Sequence, residues 1–264
     1  MNLSIIIVTY NSAGVIDSCL ESLGPWAEHS LVVDNASSDQ TAELVRARGV
    51  RLLTMPGNLG FARAVNQGVR ASQGQGVCLL NPDCLATPEL FSLGLDALGS
   101  GEKLIAAPAL DDHGQAVPGR QPGYSRLKLA HDLMVLGWPC PRALAWMPRL
   151  PGYHDDSWQW AHGACLFIRR ELFLSLGGLA TSYFMYMEDV ELGLKLHQAG
   201  GLVVELPYTL PHLTAQGSKV TNARRRWLLA RGRLKFAAKH YGYFFAVGLG
   251  LITLPGMWAK GVLK

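Results

Sequence analysis

No aspartate or glutamate occurs after Glu205 in this chain of 264 residues. All 20 acids lie in residues 1–205 beside 14 Lys/Arg, and residues 206–264 hold the other 10, so a formal charge of +4 conceals a body at −6 and a tail at +10. Such a tail suits an anionic surface, membrane or nucleic acid. Cysteine is scarce: Cys19, Cys78, Cys84, Cys140 and Cys165 are odd in number, scattered, and form no C-x-x-C pair. That argues against a disulfide framework or structural zinc and for a reducing compartment. Neither G-x-G-x-x-G after the first apolar run nor G-x-x-x-x-G-K-[ST] occurs, so dinucleotide-fold and P-loop readings lose their main support. No fixed-period repeat and no low-complexity linker is present. MNLSIIIVTYN lacks a basic n-region and breaks after six apolar residues, which reads as a strand and not a signal peptide. No aromatic-basic platform accompanies the basic tail, so a nucleic-acid partner is not expected. With 49% apolar and 17% charged residues, the chain is far from a disordered composition and long enough for a substantial core.

What is present alternates. Leu3–Val8, Ser30–Asp34, Val50–Thr54 and Gly76–Leu80 are short apolar runs of the kind buried on both faces of a parallel sheet. Between them fall helical patterns: one over Val15–Leu23 capped by Asn11/Ser12, one over Ser38–Arg48 with Ser37 or Ser38 as cap, and Phe61–Ala71. The βαβαβαβ order predicts an α/β domain. From Ala106 to about Trp160, Gly, Pro and Trp are frequent, including Pro139 and Pro141, and only Leu127–Leu136 reads as a helix. Regular pattern returns with a strand at Ala164–Ile168, a helix at Val190–Ala199 and a strand at Leu202–Glu205. One domain is expected over 1–215 and a helical extension over 216–264.

In open α/β sheets ligands bind beyond the carboxyl ends of the strands. Thr9-Tyr10-Asn11, Asp34-Asn35 and Asn81-Pro82-Asp83 stand at three such ends. Asp34 suits sugar hydroxyls or a base N–H as an acceptor, although Asx residues also serve as turns and caps. Asp83 could hold a hard divalent ion. In Phe184-Met185-Tyr186-Met187-Glu188-Asp189-Val190-Glu191 the acids emerge from an apolar stretch and open a helix. The helix dipole accounts for Glu191; apolar surroundings would raise Glu188 and Asp189 toward useful base values. His212 follows a strand and is a candidate metal ligand.

In the tail, Val220, Ala223, Trp227, Ala230, Leu234, Ala237 and Tyr241 recur at steps of three and four, with Arg224, Arg225, Arg231, Lys235 and Lys239 on another face. Tyr241–Ala259 then runs uncharged for 19 residues. Its length barely allows a span, and Gly248, Gly250, Pro255 and Gly256 make it a poor one. An interfacial helix is expected, basic residues toward anionic lipid and the apolar segment dipping into the bilayer.

The segments SIIIVTYNS (4–12), VVDNASSDQT (32–41), NLGFARAVNQG (58–68), LLNPDC (79–84), GACLFIRRELF (163–173) and FMYMEDVELGLKLHQAG (184–200) occur in order. Together they resemble family 2 glycosyltransferases of the GT-A fold, in the branch that includes bacterial rhamnosyltransferases. The resemblance implies a Rossmann-like, mostly parallel central sheet flanked by helices. It implies a nucleotide pocket at Thr9, Tyr10, Asn11, Asp34, Asn58, Gly60, Arg63 and Asn66, and Asp189 as catalytic base with Glu188 beside it. Asp83 matches the last acid of a D-x-D metal motif whose first position is here Asn81, with His212 as second ligand to Mg²⁺ or Mn²⁺. Trp158, Trp160 and His162 would form the acceptor side. The reaction implied is inverting transfer, of rhamnose by preference, from a nucleotide-diphosphate sugar to a hydroxyl of a growing, lipid-linked glycan in surface-polysaccharide synthesis. The enzyme would be peripheral on the cytoplasmic face of the inner membrane, with an anionic membrane surface as partner. A sugar-nucleotide pyrophosphorylase and a non-catalytic assembly partner with the same fold are the alternatives.

Overall fold

The computed structural model describes residues 1–99, 101–111, 113–138, 146–212 and 221–262. The chain divides into two units: Met1–Gln121 with Gln159–Phe184 and Glu188–Lys219, and Pro122–Trp158 with Met185–Met187 and Val220–Lys264. The expected boundary at 215/216, and Cys140, Pro139, Pro141 and Val220, lie outside the described residues.

The chain opens with β1 (Leu3–Thr9), α1 (Ile16–Ser22), β2 (Ser30–Asp34), α2 (Thr41–Ala47), β3 (Arg51–Thr54), α3 (Phe61–Ala71) and β4 (Gly76–Leu80). It continues through α4 (Pro88–Leu98), β5 (Lys103–Ala106), the small pair β6 (Ala109–Leu110) and β7 (Ala116–Val117), then β8 (Arg120–Tyr124) and α5 (Arg126–Gly137). After β9 (His154–Ala161) come β10 (Cys165–Arg169), α6 (Arg170–Ser175), α7 (Glu188–Gln198), β11 (Leu202–Glu205), α8 (Asn222–Tyr241) and α9 (Tyr243–Ala259).

In the first unit, seven strands form one sheet in the order β11-β5-β10-β4-β1-β2-β3. All neighbours are parallel except β10, which runs antiparallel to both β4 and β5. Because strand side chains alternate, each apolar run feeds two cores. Ile5, Ile7, Val32, Cys78, Leu80 and Phe167 pack with α1 and α4 on one face; Ile6, Val33, Val77, Leu79, Leu166 and Ile168 pack with α3, α6 and α7 on the other. Helix α3 lies close to the sheet because Gly68 lacks a side chain: a Cβ there would sit 2.6 Å from Ile6 Cγ2.

In the second unit, α5, α8 and α9 pack together. Phe236 is fully buried beside Tyr124, Trp158 and Tyr241. Asp132 bonds to both Lys128 and Arg233. Ala230 and Ala237 of the apolar stripe in α8 are buried and the rest of its described members half-buried, whereas Arg224, Arg225, Arg231, Lys235 and Lys239 face out. Gly242, at φ +98°, ends α8 and starts α9.

The sequence starts α1 and α2 too early, at Val15 and Ser38 against the observed Ile16 and Thr41. Neither Asn11 nor Ser12 caps α1 by its side chain, and the backbone oxygen of Ser12 instead accepts from Val15 and Ile16. Ser37 and Ser38 do not cap α2, because both are held elsewhere at the strand ends; Asp39 receives the Thr41 N–H instead. The irregular reading of 106–160 misses the pairing of β8 with β9.

Candidate active site

Parallel register sets Thr9 opposite Asp34 at the carboxyl edge. Thr9 Oγ1 donates to Asp34 Oδ1 at 3.0 Å, Ser37 Oγ donates to the same oxygen, and the Ser37 N–H donates to Oδ2 at 3.0 Å. Asp34 is buried, and three donors leave its carboxylate roughly one of about four acceptor directions. Asn11, at φ +53°, donates its N–H to Ser37 Oγ and accepts the Ser38 N–H, each at 2.8 Å. Its side chain thus ties the end of β1 to the end of β2.

A second knot holds residues 58–61. Asn35 donates to Asn58 Oδ1 at 3.1 Å and accepts the Leu59 N–H at 3.0 Å, while Gly60 also donates to Asn58. Gly60 has φ +89°, and a Cβ there would lie 2.5 Å from the Phe184 oxygen, so only glycine fits. That same oxygen accepts the Phe61 N–H at 2.9 Å. Tyr10 and Arg63 are exposed, and Arg63 makes no ion pair among the described residues. Asn66 is buried on α3. Its amide closes two bonds to Leu179, donating to the carbonyl at 2.8 Å and accepting the N–H at 2.9 Å.

Asp83 and His212 come together, Oδ1 to Nε2 at 3.0 Å. Their approach is fixed by backbone: Cys84 and His212 form an antiparallel bridge, and the Leu85 N–H donates to the Pro211 oxygen at 2.9 Å. One ligand atom each from Asp83, Cys84 and His212 lies within 4.8 Å of the others. Burial pushes the Cys84 thiol well above its usual range, and it lies 3.6 Å from the Ala164 oxygen. Asp83 and His212 offer one carboxylate and one imidazole, with the Cys84 Sγ turned to the Ala164 oxygen, and such a pair fits a divalent cation completed by phosphate oxygens and water.

The Asn81 N–H bonds to the Ala164 oxygen at 3.0 Å, joining this loop to the Gly163-Ala164 turn. Asp189, at the start of α7, is half-buried and accepts the N–H of Val190 at 2.9 Å. Burial raises its carboxyl above the ordinary aspartate range, opposed by nearby His162 and by the backbone N–H groups of Val190 and Gly163. Glu188 is buried, its Oε2 has no hydrogen-bond partner, and burial together with the Asp189 charge pushes it up to about 8. His162 is depressed by burial, with Asp189 pulling upward and His212 downward. It therefore feels both the candidate base and the candidate metal ligand. Trp160 is half-buried, its ring 6.4 Å from His162 and its Cβ closing on Gly193 of α7. Trp158 belongs to the second unit, where it stacks on Phe236 and donates to Asp155 at 3.0 Å.

Just before the acids, Tyr186 (φ +68°) and Met187 (φ +74°) both adopt left-handed backbone. Such strain, about 1–3 kcal/mol per residue, persists only where surroundings enforce it. In the second unit these two residues lie against Gly232 of α8. Sequence reasoning offered Ser37 only as a cap, named Asn35 at a strand end without its partners Asn58 and Leu59, and gave Gly163 no part in the site. The serine of the Asp34-Asn35-Ala36-Ser37 turn was the available signal for the first. The other two depend on tertiary pairing.

Residues 4–188 match the family described as glycosyl transferase family 2. The chain is 32% identical over 226 residues to an N-acetylglucosaminyl-diphospho-decaprenol L-rhamnosyltransferase of Mycobacterium tuberculosis, covering 78% of this chain and 73% of that protein. It is 26% identical to the amylovoran biosynthesis glycosyltransferase AmsE of Erwinia amylovora, covering 91% and 88%. Among solved structures, a Pyrobaculum calidifontis mannosyltransferase in complex with GDP-Man and Mn²⁺ superposes with a TM-score of 0.61 at 18% identity, covering 98% of this chain and 73% of that one. Glucosyl-3-phosphoglycerate synthase of Mycobacterium tuberculosis, bound to Mn²⁺, UDP and glucosyl-3-phosphoglycerate, gives 0.56 at 17% identity, covering 91% and 80%. With the family match spanning most of its length, the chain belongs to glycosyl transferase family 2 and is a glycosyltransferase of the GT-A fold.

Proposed function

We propose that the chain transfers a sugar, with inversion, from a nucleotide-diphosphate donor to a hydroxyl of a growing, lipid-linked glycan, and that dTDP-rhamnose is the first donor to test. The observation that carries the reaction type is Asp189, held by backbone N–H groups beside His162 with its carboxyl raised by burial. A base in that state is better matched to a hydroxyl proton than an ordinary aspartate. As the acceptor oxygen attacks the anomeric carbon, Asp189 takes its proton. Glu188, kept neutral by its buried position, leaves the negative charge on Asp189.

Asp83 and His212 would hold a divalent cation, Mn²⁺ rather than Mg²⁺ because an imidazole is a poor partner for the harder ion. Bound there, the cation would neutralise charge on the departing diphosphate. The Thr9–Asp34–Ser37 and Asn35–Asn58–Gly60 knots hold rigid the loops that would cradle the nucleotide, with Arg63 free to reach phosphate. Proton transfer to one base accounts for about 10²–10⁴-fold of the rate, so positioning and electrostatics supply the larger remainder.

Rhamnose and a lipid-diphosphate acceptor are supported by the name of the 32%-identical relative. Residues 1–215 are taken as the catalytic domain and 216–264 as an extension that keeps the enzyme peripheral at the cytoplasmic face of an anionic membrane. Incubation with a panel of nucleotide sugars and polyprenyl-diphosphate-linked GlcNAc, with Mn²⁺ or EDTA, tests the reading. Transfer with inverted anomeric configuration and loss in EDTA is expected. Retention of configuration, or transfer indifferent to EDTA, overturns it.

A further inference from the structure

Helix α9 is apolar on both sides. Ala246, Leu249 and Met257 turn inward and are buried, while Tyr243, Phe244, Val247, Leu251, Ile252 and Trp258 are exposed. The outward set recurs with the helical period, Phe244 is 90% exposed and Leu251 73%, and no charged residue occurs in the helix. A helix apolar all round belongs in a core or in lipid. At 17 residues it extends about 25 Å, less than the roughly 30 Å of a bilayer core, and Pro255 interrupts it. No helix among the described residues is long and apolar enough to cross a membrane. Tyr243 marks one end and Trp258 the other, the residue types favoured where hydrocarbon meets headgroups.

The packed partner of α9 supplies the complementary charge. Arg224, Arg225, Arg226, Arg231, Lys235 and Lys239 of α8 are exposed, and no acid occurs from residue 206 onward. Two copies meeting through this face would bring two tails of +10 together, which disfavours a second copy as its occupant. Resting on the reading of a membrane-borne acceptor, we propose that the outward face of α9 seats the enzyme on an anionic bilayer, the helix lying in the leaflet and the α8 cations engaging lipid phosphates. This keeps the segment Tyr241–Ala259 that the sequence offered for the bilayer, while the described members of the α8 stripe are buried or half-buried.

Co-sedimentation of the full chain with phosphatidylcholine vesicles, with and without phosphatidylglycerol, tests the surface. Wild type should partition strongly only when the anionic lipid is present, and less as salt rises. Phe244→Ser with Leu251→Ser should weaken partitioning at least tenfold, because both side chains are exposed and their loss leaves the fold's melting temperature unchanged. Arg224→Gln with Arg225→Gln should weaken it by about fivefold per charge and flatten the salt dependence. Transfer to a detergent-solubilised lipid-linked acceptor should survive in all variants. Wild-type partitioning by the serine variant overturns the face while leaving the acceptor reading intact. Wild type indifferent to both vesicle types, yet active on the solubilised acceptor, overturns bilayer docking alone. Activity confined to water-soluble glycans removes the acceptor reading instead. A dimer on light scattering that Leu251→Ser dissociates would assign the face to a second copy and overturn the proposal.

Discussion

Asp83 and His212 stand 3.0 Å apart although 129 residues separate them in the chain. Asp83 follows β4, and His212 lies beyond β11 at the far edge of the sheet. A backbone bridge from Cys84 draws the second to the first. His212→Ala should therefore weaken Mn²⁺ more than it weakens nucleotide alone, and the loss should be recoverable at higher Mn²⁺. Asp83→Ala should lower donor and Mn²⁺ affinity together, since the ion would join carboxylate to diphosphate. Calorimetric titration of both ligands checks this; unchanged donor affinity in Asp83→Ala would remove the metal from the site.

Asp189→Asn should retain donor binding and lose kcat by about 10²–10⁴-fold, because the amide keeps the shape but accepts no proton. In wild type, kcat/KM should fall as pH drops through the raised carboxyl value, above the ordinary aspartate range of about 4. More than about a tenth of wild-type kcat in the variant would assign the base elsewhere.

Glu188 gives a stability prediction with a definite sign. Its folded value, about 8, lies above that of the unfolded chain, so the contribution of the neutral acid is fully present below the usual glutamate range and is lost as pH rises toward 8. Glu188→Gln cannot ionise. Its melting temperature relative to wild type should rise progressively between pH 5 and pH 8. A difference that stays flat across that window would mean that Glu188 ionises normally.

Asn66→Ala should act on stability and not on donor recognition. It strands the Leu179 N–H and C=O, each unmet buried group costing about 1–3 kcal/mol. Urea melts should show a loss of that order, with KM for the donor close to wild type. A large rise in KM without loss of stability would restore Asn66 to the nucleotide pocket.

The parallel strands were legible because runs such as Leu3–Val8 and Gly76–Leu80 are apolar at consecutive positions, as burial on both faces demands. Ser30–Asp34, Phe61–Ala71 and Leu202–Glu205 are read to the residue. Helix α4 was passed over although Thr87-Pro88 is a cap-and-first-turn signal, and Gly94 in its middle, needed for contact with Phe167, breaks the pattern. The acids at 188–189 stood out as charges after an apolar stretch. Their tie to Gly163 and His162 did not, because it is made by strand order. In the tail, periodicity located the amphipathic helix but could not say which apolar face its own unit would cover.

Antiparallel β10 has a consequence for how the molecule can diversify. Its first residue, Cys165, pairs with Leu80 at the end of β4, and Leu166 pairs with Ala106 at the end of β5. The excursion from residue 107 to 164 therefore departs and returns at two adjacent points on a single rim. An inserted loop with both feet planted side by side can lengthen, shorten or exchange its contents without shifting any strand register. The strand ends, where donor binding is proposed, and whatever that loop comes to grip can then evolve on separate schedules.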